Sequence, residues 1–165
     1  MKRFIIEGCD GTGKTTLAKK LIEKYGLEYV HCGTDDPSDY PFYSQSMRKA
    51  NVVWDRHFIG EMVYPRFFNR KPKIGKYHFE RLLKQAKELG VVILVLTATD
   101  EVLNSHNEDD IYETVRNNHK RINKKFMKVA EKYGIPTFSV FDYTDDEFMK
   151  IVETLEKIAY ADKNK

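Results

Sequence analysis

Short apolar runs alternate along the chain with longer stretches in which apolar residues recur every three or four positions. The first pattern reads as strands and the second as amphipathic helices. Phe4 to Glu7 predicts a buried strand, followed by a helix from Thr15 to Tyr25 with Leu17, Leu21, Ile22 and Tyr25 on one face, ended by Gly26. Leu27 to His31 is a second strand, Phe42 to Lys49 a short helix, and Asn51 to Asp55 a third strand. Helical pattern resumes from Phe58 to Phe68 and again from Tyr77 to Leu89, where Gly90 stops it. Val91 to Thr97 is so continuously apolar that it predicts a strand covered on both faces.

Asp100 starts a brief helix, residues 105–110 form a polar loop, and a long helix spans Ile111 to Tyr133 with Val115, Ile122, Phe126, Val129 and Tyr133 as its stripe. Thr137 to Phe141 is a fifth strand, and Phe148, Ile151, Val152, Leu155 and Ile158 define a last helix. Alternation of this kind predicts an α/β fold with helices on both faces of the sheet. The 165 residues suit one domain, 1–165, with a core of its own.

Composition narrows the function classes. A hydrophobic share of 41% and a charged share of 32% exclude a disordered chain. The formal charge of +3 suits an anionic small molecule and is too small to indicate polymeric nucleic acid. Cys9 and Cys32 lack CxxC spacing, so neither a disulfide nor a zinc framework is expected, and reduced thiols in a cytoplasmic protein are the default. The longest apolar stretch, Val91 to Leu96, is far below the roughly 20 residues needed to span a bilayer, so no membrane partner is expected.

Residues 8–16 read GCDGTGKTT. Gly8, Gly13, Lys14 and Thr15 fit G-x-x-x-x-G-K-[ST], with a predicted strand before and a helix after, the context a P-loop requires. Glycines let the backbone curl so that successive N–H groups point at phosphate oxygens, and the helix start adds the positive end of its dipole. Lys14 then reaches the β- and γ-phosphates of ATP, and the Thr15 hydroxyl is placed to ligate Mg²⁺. A GTPase would also carry N-K-x-D. The nearest string, Asn123-Lys124-Lys125-Phe126, lacks the aspartate. A small P-loop domain of this kind is most often a kinase of a small metabolite.

A second string, NVVWDRHFIGEMVYPRF at 51–67, ends a buried strand on a carboxylate, at the sheet edge where parallel α/β folds bind ligands. Asp55 there suits Mg²⁺ binding through water or proton acceptance, and Arg56 a clamp on phosphoryl oxygens. The alternative is a surface turn with a local ion pair.

IIEGCDGTGKTT together with VVWDRH resembles the thymidylate kinase and deoxynucleoside kinase group of P-loop kinases, and DRHFIGEMVY is especially similar to its phage-type members. The resemblance covers the whole chain and implies a P-loop three-layer sandwich with a five-stranded parallel sheet in the order 2-3-1-4-5. It implies that Gly8, Asp10, Gly11, Thr12, Gly13, Lys14, Thr15 and Thr16 hold the ATP phosphates. Asp10 would also hydrogen-bond the acceptor's 3′-hydroxyl, Asp55 would organise Mg²⁺ with Thr15, and Arg56 would bridge the transferring and accepting phosphates. The lid would lie at about 104–116, just before the long helix, and the adenine against Asp142-Tyr143-Thr144. Homodimers are frequent in the group, but the sequence singles out no interface.

The pattern also departs from that group. Its thymidylate kinases bring an arginine from the lid or the P-loop, whereas NSHNEDD at 104–110 has none and position 12 is Thr12. Arg116, Arg121 or Lys120 on the long helix is then expected to substitute; the basic run RNNHKRINKK also reads as a solvated face. After the second strand, Asp35 and Asp36 stand where an arginine would bind an acceptor phosphate, which favours a nucleoside acceptor. Arg66, Arg70, Lys71 and Lys73 favour a monophosphate. The leading expectation is a deoxynucleoside monophosphate acceptor of thymidylate type, with a deoxynucleoside and a catalytically weak nucleotide-binding module as alternatives. Asp36, Tyr43, Arg56, Glu61 and Tyr64 are the expected acceptor residues, Tyr43 and Tyr64 through polar ring tips and Glu61 by orienting Arg56 or binding sugar.

Overall fold

The structure, a computed structural model, describes residues 1–106 and 112–161, side chains at 159–161 excepted. Its elements are β1 (Arg3–Gly8), α1 (Lys14–Tyr25), β2 (Glu28–His31), α2 (Tyr40–Ser46), β3 (Val52–Asp55), a 3-10 turn (Phe58–Met62), α3 (Tyr64–Phe67), α4 (Lys76–Glu88), β4 (Val92–Ala98), α5 (Asp100–Ser105), α6 (Glu113–Tyr133), β5 (Thr137–Val140) and α7 (Asp145–Ala161). The strands form one five-stranded sheet in the order β2-β3-β1-β4-β5. Every pairing is parallel, so the fold is the α/β P-loop sandwich that the sequence implied.

Strand alternation sorts the core into two clusters, one on each face. Ile5, Val52, Trp54 and Val95 pack with Phe79 and Leu82 of α4 and with Ile122 and Phe126 of α6. Phe4, Ile6, Val53, Leu94 and Leu96 pack with Leu17 and Leu21 of α1 and with Phe148 and Val152 of α7. The same period decides where the polar strand ends point. Glu7 continues the Ile5 side, toward the 3-10 turn and α6. Asp55 continues the Val53 side, toward α1.

Two predicted elements differ. The helix expected over 58–68 is a 3-10 turn and a separate short helix. Glu7 Oε1 accepts the amides of His57, Ile59 and Gly60, which tightens the chain into the turn, and Pro65 restarts it in the first turn of α3. The helix α2 begins before Phe42, because Asp39 caps it by accepting the Phe42 amide and Pro41 stands in its first turn. Of the expected lid, Asn104 to His106 close α5 and Tyr112 to Arg116 lead into α6; positions 107–111, including the expected start of the long helix, lie outside the described residues.

Candidate active site

The loop between β1 and α1 has the backbone its glycines predicted. Gly8 has φ +144°, and a Cβ on it would stand 2.2 Å from the carbonyl oxygen of Leu96, its neighbour across the sheet. Gly13 has φ +87° and a Cβ there would run into the Phe148 ring at 2.4 Å. No side chain caps the start of α1, so its first amides stay available to an anion. Lys14 is buried, and its Nζ donates to the Cys9 carbonyl at 2.8 Å, where Thr12 Oγ1 also donates at 2.8 Å. Tyr143, from the loop expected to hold adenine, reaches Thr16 Oγ1 with its hydroxyl at 3.3 Å while its ring stacks on His106 at 3.9 Å.

At the end of β3, Thr15 Oγ1 donates to Asp55 Oδ2 at 2.7 Å, and Tyr29 donates to the same oxygen at 2.9 Å. Asp55 Oδ1 is buried without a partner. Among the described residues no group of three or more His, Cys, Asp or Glu is placed to hold a metal. An unpartnered carboxylate oxygen beside a P-loop hydroxyl nevertheless fits Mg²⁺, which takes few protein ligands and completes its octahedron with phosphates and water.

On the other face lies a cavity of about 680 Å³, within the usual range for small-ligand pockets. Glu7, Asp10 and Arg56 form its end nearest the phosphate loop; Tyr43, His57, Tyr64 and Phe68 supply aromatic walls. Asp35, Glu61, Arg70 and Lys73 add further charge. Arg56 stands at φ +72°, a left-handed conformation that costs a non-glycine residue about 1 kcal/mol or more and recurs at functional sites. It turns the guanidinium back toward the loop, where Nη2 donates to Asp10 Oδ1, with the Tyr64 ring 5.6 Å away.

Glu7 is the residue that sequence reasoning missed. It is fully buried, and all three of its amide bonds fall on Oε1, so Oε2 has no partner. Burial pushes its carboxyl up to about 7, against the pull of the His57 and Gly60 amides and of the Arg56 and Lys14 charges. The signal was present: an acid inside the apolar run of a central strand demands partners or a purpose. Burial acts oppositely on His57, pushing it down to about 3, and its Nε2 pairs with Ser46 Oγ at 2.7 Å.

The other predicted residues divide. Tyr43 and Tyr64 are buried and line the cavity. The hydroxyl of Tyr64 has no partner, and burial raises its titration further above the usual tyrosine range. Glu61 does not orient Arg56: it holds Arg70 through both oxygens, at 2.7 and 3.0 Å, and accepts the Lys73 amide at 3.0 Å. Asp36 turns back to accept the Gly33 amide at 2.7 Å, the local turn its place before Pro37 allows, and is not part of the cavity lining, whereas Asp35 is. Lys120 pairs with Asp100 at 2.9 Å, and Arg121 reaches Asn118 and lies 5.6 Å over the Phe67 ring, so neither points to the phosphate loop. Arg116 is exposed, one residue beyond the cavity-lining Val115.

Known proteins resemble this chain in sequence and in fold. A protein named probable thymidylate kinase from Methanococcus vannielii is 26% identical over 162 residues, covering 79% of this chain and 79% of that protein. The YorR protein of Bacillus subtilis, solved in complex with phosphorylated GDP, has a TM-score of 0.77 at 18% identity, over 97% of this chain and 98% of its own. Deoxyadenosine kinase from M. mycoides with bound dATP has a TM-score of 0.60 at 15% identity, over 93% and 99%. The two solved structures share the fold, and the kinases among these proteins bear out the resemblance read from the two motifs. The sequence model described as Novel STAND NTPase 3 matches residues 2–156, and the chain belongs to this nSTAND3 family.

Proposed function

We propose that the protein is an ATP- and Mg²⁺-dependent phosphotransferase whose acceptor is a deoxynucleoside monophosphate or a deoxynucleoside. One observation carries the reading: the phosphate loop, Asp55 and the aromatic-walled cavity meet at the ends of β1 and β3, with Arg56 between loop and cavity. A donor held by the loop amides and an acceptor in the cavity would face each other across Arg56. The acceptor oxygen forms the new bond to the γ-phosphorus as the bond to the β–γ bridging oxygen breaks, and ADP keeps that electron pair. Lys14 and Arg56 leave Cys9 and Asp10 to neutralise the equatorial oxygens in flight. Bound at Thr15 and Asp55, Mg²⁺ would supply further charge neutralisation. Buried free thiols at Cys9 and Cys32 accord with a reducing cytoplasm.

A monophosphate of thymidylate type is the leading acceptor, supported by Arg70 and Lys73 in the lining and by the thymidylate kinase relative. Glu7 supports the second reading, a nucleoside: a carboxyl titrating near 7 suits a base for a sugar hydroxyl. The test is ADP release measured over a panel of deoxynucleosides and their monophosphates. Turnover with monophosphates alone supports the first reading and turnover with nucleosides alone the second. Acceptor-independent ADP release would overturn both and leave an NTPase or a nucleotide-binding module.

A further inference from the structure

Asp55 is handled unlike Asp10 and Glu61, and like Glu7 keeps one oxygen unpartnered. Asp10 and Glu61 each face an arginine, but Asp55, only 2% exposed, takes part in none of the ion pairs formed by the described residues. Two neutral hydroxyls hold it instead, Thr15 at 2.7 Å and Tyr29 at 2.9 Å, and both donate to Oδ2. Oδ1 is left buried and unpartnered. We propose that Tyr29 is a positioning residue for the cation: its phenol, with Thr15, pins Oδ2 and so reserves Oδ1 for the metal or its bound water. The proposal rests on Asp55 being the metal-side carboxylate.

The sheet explains how Tyr29 comes to serve there. Tyr29 pairs in register with Val53, so its side chain shares the α1-facing side with Val53 and Asp55. The side chain leans along the strand, past Val53, to the next residue on that face. On edge strand β2 the ring is 40% exposed and belongs to neither core cluster. Its hydroxyl contact is therefore what the position offers beyond a half-wet ring.

The terminal torsion of an aspartate is soft, and a carboxylate with one donor can exchange its two oxygens. Two donors converging on a single oxygen, one from α1 and one from β2, remove that freedom. Thr15 would have a second duty, offering an oxygen lone pair to the cation while its O–H still donates to Oδ2. Tyr29 has no such duty and acts on the carboxylate alone. A phenol ionises only at about pH 10, so the hydroxyl keeps its proton and donates throughout the neutral range.

The experiment is Tyr29→Phe, which removes one oxygen and keeps the ring. Mn²⁺ serves as the spectroscopic probe: its affinity for the protein with bound AMP-PNP is read by EPR titration, and AMP-PNP binding in EDTA is read by calorimetry. The expected result is a Mn²⁺ affinity about tenfold weaker, the usual scale for losing a partner of a metal ligand, with AMP-PNP binding in EDTA unchanged. Unchanged Mn²⁺ affinity, or an equal loss of metal-free nucleotide binding, overturns the proposal. Asp55→Asn in the same titration separates the two layers. If it keeps wild-type Mn²⁺ affinity, the assignment of Asp55 falls and Tyr29 with it; if it loses affinity while Tyr29→Phe does not, only Tyr29 falls.

Discussion

The phosphate loop and the cavity beside it grow from neighbouring strand ends but are built in different ways. The loop is made of backbone: glycines at φ +144° and +87°, uncapped amides, and one buried lysine resting on a carbonyl of the loop itself. The cavity is made of side chains delivered from β1, the segment after β3, the 3-10 turn, α3 and α6, with charges cross-paired as Asp10–Arg56 and Glu61–Arg70. A backbone site binds what every nucleotide shares, the polyphosphate. A side-chain site discriminates, because each wall comes from a different part of the chain and can change alone.

The comparison breaks most sharply at Lys14. Its Nζ bond to the Cys9 carbonyl is replaceable by water, whereas in the proposed transfer its charge on the phosphoryl group would not be. Lys14→Ala is expected to lower kcat by about a thousandfold, the upper scale for losing one preorganised donor, while the far-UV spectrum and cooperative melting persist. A wild-type rate in that variant would mean that the loop grips the donor without taking part in transfer.

This contrast also explains what the sequence revealed. Gly8, Gly13, Lys14 and Thr15 are legible because the loop's chemistry is local: three glycines, one lysine and three threonines within nine residues leave few other readings. Asp55 was legible as a carboxylate closing an apolar strand. The partnerships were not. Nothing near Glu61 in the chain announces that it will hold Arg70 and the Lys73 amide rather than Arg56, because the segment 69–73 folds back only in the tertiary structure. Tyr29 read as an ordinary strand residue, since its reach to Asp55 depends on the β2–β3 register. The helix expected over 58–68 failed for the same reason: its periodicity is helical, but Glu7, fifty residues earlier, claims the amides of the turn.

Glu7 gives the next largest effect. Its carboxyl titrates near 7 in the folded protein and near 4.5 when free, so between those values the folded state holds a proton that the unfolded chain has lost. Its contribution to stability is therefore full below about pH 4.5 and lost as pH rises through 7. Glu7→Gln mimics the protonated form and keeps an oxygen for the three amides. The stability of the variant relative to wild type should rise by about 1.4 kcal/mol per pH unit across that window and level off above it. Urea unfolding at a series of pH values reads this difference, in which His57, with its opposite dependence, cancels because both proteins share it. A flat difference would mean that Glu7 stays ionised, and the nucleoside reading would lose its support.

The smallest effect is the most discriminating for the acceptor. Arg70 is about one-third exposed and spends both terminal nitrogens on Glu61, so its bond to any ligand competes with that pair and with water. Arg70→Gln removes the charge and retains a donor for Glu61. With a monophosphate acceptor, KM should rise about fivefold, equivalent to roughly 1 kcal/mol, and kcat should hold, because a contact to the non-reacting phosphate oxygens is made equally in ground and transition states. With a nucleoside acceptor, neither constant should move. An equal loss of kcat and of melting temperature with every acceptor would instead assign Arg70 to holding residues 69–73 against the 3-10 turn, and the cavity would have to recognise its ligand through Arg56, Lys73 and the aromatic walls.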